Sequence, residues 1–326
     1  MKILLVRVSS MGDVLHNLPM VADLARQYPH AVIDWVVEEA YVSLVRLNPR
    51  VRKIVPFALR RWRKSLTSPA TRRELGQFWR DLREERYDLV FDTQGLLKTG
   101  VIMGAARLAP GGRKIGLGNG SEGSGYEAIS RIFHTDSIKL DPRTHAVARG
   151  RLVAARALGY AVDSAPDFGL PAVDGAARPD WMPAAPYAVF FHGTARAAKQ
   201  WPRASWIALG ARLAPMPVLL AWGSPAEQAE AEAIAAAVPH ARVLPKLSMD
   251  GAVTLARNAA LAVGVDTGLT HIAAAFLRPT VEIYADSPRW KTEGNWSPLI
   301  VNLGEQGAPP SLETVSAAAL ALLGRA

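Results

Sequence analysis

Apolar and polar residues alternate along the chain in blocks that predict strands followed by helices. The first block, Lys2–Val8, is rich in β-branched residues and leucine, and apolar side chains then recur at helical spacing over residues 14–25. Further runs predict strands at residues 32–37, 53–57, 89–92 and 113–117, with helices at 72–86 and 96–108. This alternation is typical of a parallel sheet covered by helices.

A proline-rich segment without periodicity divides the chain into two such alternations. Residues 166–186 contain five prolines and predict an interdomain linker. Beyond it we predict strands at 188–191, 218–222, 242–244, 261–265 and 280–284, and helices at 204–213, 226–237, 248–258, from about 268, and 312–323. The sequence therefore predicts two α/β domains, residues 1–165 and 187–326, with the terminal helix left open to return to the first domain.

Composition excludes several classes of protein. Apolar residues make up 49% of the chain and charged residues 21%, which is typical of a folded protein and not of a disordered one. Cysteine is absent, so disulfides, thiolate metal sites and cysteine nucleophiles are excluded. The apolar start is interrupted by Arg7, and the longest apolar runs are shorter than the roughly 18–20 residues of a bilayer span. We expect neither a signal peptide nor a membrane span.

Charge is distributed unevenly along the chain. Residues 1–160 hold 26 of the 38 basic residues but only 15 of the 29 acidic ones, so this half carries +11 and the remainder −2. A strongly basic half attracts polyanions over long distances. Nucleic acid, anionic lipid and a phosphorylated glycan are all candidate partners for the first domain.

Loops that follow strands of a parallel sheet carry the candidate chemistry, because ligands bind at the carboxyl edge. In Ser9–Asp13, Gly12 allows close backbone approach, and Asp13 is either a helix cap or a functional carboxylate. The dinucleotide pattern G-x-G-x-x-G is absent from this loop, which argues against a nicotinamide enzyme.

Two loops of the second domain have the same character. In Val265–His271, Asp266 is suited to hold the turn or accept a hydrogen bond from a sugar hydroxyl, and His271 is spaced to reach a phosphate. The loop His192–Lys199 adds a hydroxyl and cations. A metal site is disfavoured, since a lone Asp and His at this spacing are more often structural. Together with the loop after the first strand of the chain, these loops predict a nucleotide-phosphate site.

The densest basic stretch is Arg60–Lys64, which encloses Trp62. Cations interleaved with an aromatic residue are suited to single-stranded nucleic acid, an anionic membrane or a phosphorylated lipid head group. A solvated charged face is the alternative. Because this stretch lies in the half that carries +11, we favour a binding role.

Six segments taken together resemble the lipopolysaccharide heptosyltransferase I family of glycosyltransferase family 9. They are Ser9–His16, Arg60–Lys64, Asp92–Leu96, His192–Pro202, Trp222–Gly223 and Asp266–His271, and they occur in the family's order over nearly the whole chain. The resemblance implies the GT-B architecture, with two Rossmann-like domains facing a central cleft. It also implies transfer of L-glycero-D-manno-heptose from ADP-heptose to the first Kdo sugar of Kdo2-lipid A, with inversion and without a metal or cofactor.

The resemblance also assigns roles to individual residues. Asp13 matches the catalytic base. Positions that match the acceptor site are Ser10, Gly12, Arg60, Arg61, Arg63 and Lys64, and those that match the ADP-heptose site are Thr194, Lys199, Glu227, Lys246, Asp266, Thr267, Gly268 and His271. Ala195, Ala197 and Ala198 stand where relatives can carry hydroxyl or acidic residues, so those side-chain contacts are not expected in this chain.

The implied partners are ADP-heptose, Kdo2-lipid A and the cytoplasmic face of the inner membrane, without nucleic acid. The implied location is cytoplasmic, with peripheral attachment to that membrane. Two alternatives stay open. Heptosyltransferase II, or another GT-B sugar-nucleotide transferase, would keep the fold and change the acceptor. A basic protein that binds nucleic acid or a membrane surface would explain the charge, but not the loops that follow the strands.

Overall fold

The computed structural model describes residues 1–171, 178–194 and 196–324. The chain divides into two compact units, Met1–Gly169 and Leu170–Ala326. The predicted linker, residues 166–186, includes residues 172–177, which lie outside the described residues, as does Ala195.

The first unit is built on a six-stranded parallel sheet. Its strands are β1 (Lys2–Val6), β2 (Val32–Glu38), β3 (Val51–Phe57), β4 (Arg86–Asp92), β5 (Arg107–Leu117) and β6 (Asp136–Ile138), in the order β3-β2-β1-β4-β5-β6. Its helices are α1 (Met11–His16), α2 (Leu18–Gln27), α3 (Val42–Arg46), α4 (Leu59–Trp62), α5 (Pro69–Arg83), α6 (Leu97–Ala105) and α7 (Ala146–Leu158). Short 3₁₀ turns lie at Glu39–Tyr41 and Ala128–Phe133.

The second unit repeats this plan. Its strands are β7 (Ala188–Phe191), β8 (Val218–Leu220), β9 (Ala241–Val243), β10 (Leu261–Val265), β11 (Thr280–Tyr284) and β12 (Ile300–Gly304), all parallel, in the order β12-β11-β10-β7-β8-β9. Its helices are α8 (Arg203–Arg212), α9 (Pro225–Ala237), α10 (Met249–Asn258), α11 (Gly268–Ala275) and α12 (Leu312–Leu323), with 3₁₀ turns at Ala197–Lys199 and Arg289–Lys291.

The central strands of both sheets are buried on both faces, which is why they consist largely of Val, Ile and Leu. All residues of β10 are buried, as are the last four of β1. The terminal helix α12 packs against α8, β10 and β11 and is part of the second unit. Among the described residues, no helix combines the length and the apolar character that crossing a bilayer requires.

The structure corrects several element boundaries. The helix predicted over residues 14–25 is divided into α1 and α2, with Asn17 between them and Pro19, which lacks an N–H group, in the first turn of α2. Part of the basic stretch forms the short helix α4. The periodicity did not indicate β6, β12 or α7, because β6 and β12 are edge strands with mixed burial and α7 has few large apolar residues.

Candidate active site

Both sheets have the strand order of a doubly wound fold. In each, the order in which successive strands are added to the sheet reverses at one position, the switch point. The reversal lies between β1 and β4 in the first unit and between β7 and β10 in the second. Loops leave such a point in opposite directions and create a ligand crevice at the carboxyl edge. The loops singled out from the sequence, Ser9–Asp13, His192–Lys199 and Asp266–His271, all follow strands at these two points.

Asp13 is held in a fixed orientation in the first turn of α1. Its Oδ1 lies 2.7 Å from Nη2 of Arg7, and its Oδ2 accepts hydrogen bonds from the Ser10 backbone N–H and hydroxyl, both at 3.0 Å. Ser10 is the N-cap of α1, and Asp13, two residues beyond the helix start, completes a capping box. Asp13 is therefore not itself the N-cap, and 38% of its side chain is exposed to solvent.

The surroundings of Asp13 keep its carboxyl group ionised. Burial by itself raises the pKa of Asp13. The charge of Arg7, the Ser10 N–H and the charge of His16 together outweigh that effect and lower the pKa to about 2. The carboxylate is thus free of a proton over the whole physiological range. Such a group can accept a proton from a bound hydroxyl without first losing one.

Sequence reasoning assigned no role to four polar residues around the loop that carries Asp13. Arg7 is nearly buried, and Lys98 donates a hydrogen bond of 3.3 Å to the Ser9 hydroxyl from the first turn of α6. Gln94 accepts from the Val8 N–H at 3.0 Å, and burial lowers the pKa of Arg149 on α7 to about 10. A charge at the end of an apolar strand was the available signal for Arg7. Lys98 and Arg149 lie on helices, where a charged residue is ordinarily solvated.

All four cations of the basic stretch are exposed, but Arg61 is also paired with carboxylates. Arg61 lies 2.9 Å from Glu39 and 2.7 Å from Glu74, so two carboxylates neutralise it. Arg60, Arg63 and Lys64 therefore provide most of the positive potential that this stretch offers to a ligand.

Trp62 corrects the idea of an aromatic residue available for stacking. Its ring is buried against Phe57 and Phe78, with centroids 5.5 and 5.7 Å away, and its N–H donates to Glu74 at 2.8 Å. A base of single-stranded nucleic acid cannot stack on a ring in the core. The alternative of a nucleic-acid-binding protein loses its aromatic contact.

The second unit brings Lys199 and Asp266 together at its own switch point. Nζ of Lys199 lies 2.5 Å from Oδ2 of Asp266, and the Thr292 hydroxyl donates to Oδ1 at 3.3 Å. A lysine ammonium has three donors, so pairing with one carboxylate oxygen leaves capacity for a phosphate. Burial by itself raises the pKa of Asp266, but His271 and Lys199 outweigh that effect and hold the pKa well below its usual range.

His271 lies in the core, where both of its ring nitrogens meet carboxylates. Nε2 is 3.0 Å from Oδ1 of Asp266, and Nδ1 is 2.9 Å from Oε1 of Glu282 on β11. Burial by itself lowers the pKa of His271, but these two carboxylates outweigh that effect and raise the pKa to about 10. Both ring nitrogens are thus occupied by carboxylates, which leaves neither of them for the predicted contact of His271 with a phosphate.

The remaining residues predicted for the donor site occupy the same edge of the second sheet. Thr267 is the N-cap of α11 and Gly268 is its first residue, so their backbone N–H groups lie at a helix N-terminus. Thr194 is partly buried in the loop after β7. Exposed Lys246 places Nζ 5.9 Å from the centre of the Trp222 ring.

Glu227 has a structural task in α9. Its Oε2 accepts from the N–H groups of Gly223 at 2.7 Å and Ser224 at 3.2 Å, which completes the capping box of that helix. It also packs on the loop after β7, where a Cβ added to Gly193 would lie 2.6 Å from Cδ of Glu227. The structure thus connects Glu227 to the Thr194 loop, and its contact with a donor stays a prediction. Among the described residues, no group of three or more His, Asp or Glu side chains could hold a metal ion.

A family model matches most of the chain. Residues 75–320 match the model described as "Glycosyltransferase family 9 (heptosyltransferase)". The chain is 39% identical to lipopolysaccharide heptosyltransferase 1 of Pseudomonas aeruginosa over 287 residues, covering 87% of this chain and 78% of that protein. It is 35% identical to lipopolysaccharide heptosyltransferase 1 of Escherichia coli K12, covering 87% of this chain and 88% of that protein.

The fold matches solved structures over its full length. E. coli heptosyltransferase WaaC with ADP superposes with a TM-score of 0.84 at 31% identity, and both chains are covered completely. The same enzyme with ADP-2-deoxy-2-fluoro heptose gives a TM-score of 0.80, again with both chains covered completely. The α/β fold of the GT-B class, predicted from the sequence, is confirmed.

Proposed function

The chain belongs to glycosyltransferase family 9, the heptosyltransferase family, and on this basis we propose that it transfers heptose from ADP-heptose to the first Kdo of Kdo2-lipid A. The observation that carries the proposal is the Lys199–Asp266 pair beside the N-terminus of α11, at the switch point of the second unit. The complexes of a relative with ADP and with a fluorinated ADP-heptose support the nature of the donor.

The donor half of the reaction requires stabilisation of the departing diphosphate. Lys199 supplies a cation, and the N–H groups of Thr267 and Gly268 supply the positive end of the α11 dipole. Both act on the negative charge that grows on ADP as the bond between the anomeric carbon and the diphosphate oxygen breaks. Asp266 keeps the Lys199 ammonium in place through the 2.5 Å contact.

The acceptor half requires a group that removes one proton. In the proposed reaction a Kdo hydroxyl oxygen bonds to the anomeric carbon on the face opposite the diphosphate, and its proton passes to Asp13. The electron pair of the broken bond leaves with ADP. Arg7 and Ser10 hold the Asp13 carboxylate in one orientation while its exposed part meets the hydroxyl. Attack from the opposite face inverts the configuration at the anomeric carbon.

The cytoplasmic location and the membrane contact are part of the same proposal. Two adjacent elements of the first unit expose aliphatic side chains, Leu97 (44%) and Val101 (41%) on α6, and Ile129 (51%) and Ile132 (68%) on the 3₁₀ turn. We call these four residues the aliphatic patch. Residues four apart in a helix, or three apart in a 3₁₀ turn, lie on one face. A lipid-borne acceptor calls for an enzyme surface that docks on lipid.

Packing and charge favour an anionic bilayer as the occupant of the aliphatic patch. The turn lies directly against α6, since a Cβ on Gly100 would lie 2.7 Å from the Phe133 ring. In the sequence, exposed Arg131 lies between the two isoleucines, and Lys98 follows Leu97 and contacts Ser9 in the loop that carries Asp13. Apolar side chains flanked by cations suit the boundary between anionic head groups and acyl chains.

Two double variants should separate acceptor binding from membrane docking. Arg60→Ala/Arg63→Ala removes two exposed cations and should raise the KM for a water-soluble, deacylated Kdo2 acceptor by about tenfold. For the wild type, the same KM should rise as salt is added, because salt screens the attraction. Leu97→Ser/Ile132→Ser should leave that KM unchanged. It should instead lower sedimentation with phosphatidylglycerol-containing vesicles by about tenfold or more, because two exposed aliphatic side chains that would enter the bilayer are lost.

The controls for this pair come from the same chain. Arg61→Ala removes a cation already paired with Glu39 and Glu74, so it should raise the acceptor KM less than the double variant does. Leu320→Ser removes a leucine that is 49% exposed on α12 and should leave vesicle binding unchanged. Equal acceptor KM values for wild type and Arg60→Ala/Arg63→Ala would eliminate direct contact. Undiminished vesicle binding of Leu97→Ser/Ile132→Ser would eliminate the aliphatic patch as the docking surface.

The transferase activity itself is tested by product mass. Purified chain, ADP-heptose and Kdo2-lipid A should give one equivalent of ADP and a lipid heavier by one heptose. ADP release without a heavier lipid would mean hydrolysis and not transfer. A purified, folded protein that binds ADP-heptose and gives neither product would refute the proposed function.

A further inference from the structure

Glu282 is a buried carboxylate in the middle of β11, and the proposed reaction gives it no role. The strand pairs with β10 on one side and with β12 on the other, and the side chain of Glu282 is completely buried. Its Oε1 lies 2.9 Å from Nδ1 of His271, and its Oε2 accepts from the Tyr284 hydroxyl at 2.9 Å and the Gly294 N–H at 3.0 Å. An unpaired buried carboxylate would be strongly unfavourable, so His271 must compensate its charge.

The hydrogen bonds fix the protonation state of His271. Each ring nitrogen lies within 3.0 Å of a carboxylate oxygen, and an ionised carboxylate can only accept. Both nitrogens must therefore carry protons, which makes the ring an imidazolium. Charges then alternate along a continuous line of contacts, from Lys199 through Asp266 and His271 to Glu282.

Two further titratable groups, Tyr284 and Arg257, lie on the elements that pack against the helix of His271. Tyr284 on β11 donates to Glu282, and burial together with the neighbouring carboxylates raises the pKa of its hydroxyl, which therefore stays protonated. On α10, Arg257 lies over the Phe276 ring at 5.6 Å. Both carboxylates next to the ring favour the charged form, in agreement with its raised pKa.

We infer that Glu282 is a positioning residue for the nucleotide donor: it keeps His271 charged, and His271 in turn holds Asp266 in the orientation that anchors Lys199. The inference rests on the proposed function, in which Lys199 meets the diphosphate. Glu282 does not touch substrate, so its loss should weaken donor binding and leave the chemical step largely intact.

The variant Glu282→Gln tests this arrangement with almost no change of volume. Both partners of Oε2 are donors, so the Gln carbonyl should take that place and its amide N–H should face Nδ1 of His271. Nδ1 must then accept, and the ring should become neutral at pH 7. We expect the Kd for ADP and the KM for ADP-heptose to rise about tenfold, with kcat changing less than threefold. Glu282→Asp, which keeps the charge, should restore part of the affinity.

Asp34→Asn is the matched structural control. Asp34 is also completely buried in a strand of a parallel sheet, β2, and also accepts a tyrosine hydroxyl, from Tyr87 at 3.0 Å. It should lower the melting temperature without changing the affinity for ADP. Equal losses of ADP affinity in Asp34→Asn and Glu282→Gln would reduce the role of Glu282 to general stability and overturn the inference.

A measurement on the wild-type chain keeps the inference testable even if Glu282→Gln does not fold. Side-chain ¹⁵N spectra, with His271 assigned by comparison with His271→Gln, should show an imidazolium that does not titrate between pH 6 and 9. A ring that is neutral at pH 7 would overturn the inference whatever the enzyme binds. If ADP fails to bind the wild type while the imidazolium is present, the proposed donor is wrong and the charge arrangement stands.

Discussion

Replacing Asp13 by asparagine should lower kcat for transfer by about 10²- to 10⁴-fold, the range of a missing general base. Asparagine keeps the size of the side chain, and its carbonyl oxygen can still accept from the Ser10 N–H, so α1 should form normally. The variant has no group able to remove the acceptor proton. Initial rates of ADP release with saturating donor and acceptor measure the effect.

Binding measurements separate chemistry from folding in this variant. Asp13 lies in the first unit and the donor residues lie in the second, so titration calorimetry should give the wild-type Kd for ADP-heptose. Because the pKa of Asp13 is about 2, its protonation should produce no acidic limb in the wild-type pH–rate profile above pH 4. Transfer within threefold of wild type in a folded Asp13→Asn protein would leave Asp13 with only its role in the capping box.

Replacing Lys199 by methionine should weaken ADP binding by about 10- to 100-fold, which corresponds to one lost charge-assisted hydrogen bond to phosphate. Methionine preserves much of the aliphatic stem, and Asp266 keeps its contacts with His271 and Thr292. The KM for the acceptor should stay within threefold of wild type. Titration calorimetry with ADP, together with acceptor kinetics at saturating donor, measures both effects.

Arg203→Met is the matched control for the lysine variant. Arg203 also lies in the second unit and is also paired with one carboxylate, Glu230, but it is exposed at the start of α8. This variant should bind ADP normally. If Lys199→Met binds ADP as tightly as Arg203→Met does, the diphosphate is bound elsewhere and the donor half of the account is wrong.

Much of the fold could be predicted because buried parallel strands are nearly continuous apolar runs. The predictions for β7, β10 and β11 match the structure to the residue. Ser248 and Ser311 are the N-caps of α10 and α12, which the sequence placed at 248–258 and 312–323. Edge strands such as β6 lack that signal. The positions of the candidate loops could also be predicted, since loops that follow parallel strands converge at the switch points of the carboxyl edges.

The partners of the site residues could not be predicted, because they come from distant parts of the chain. Arg61 is paired with Glu39, 22 residues away, and nothing in the sequence of Arg60–Lys64 indicates that one of its cations is already neutralised. His271 was expected to reach a phosphate. In the structure it contacts Glu282, a residue whose charge in a strand ordinarily indicates a solvent-facing position. Pairing decides which charges remain available to a ligand.

The most direct test of the central claim is a competition between two acceptors. Wild-type chain, limiting ADP-heptose and equal concentrations of Kdo2-lipid A and an already heptosylated core are incubated together, and the two products are separated by mass. The account predicts that heptose goes to Kdo2-lipid A at least ten times faster. Preferential extension of the heptosylated core would contradict it and assign the chain to the heptosyltransferase II reaction.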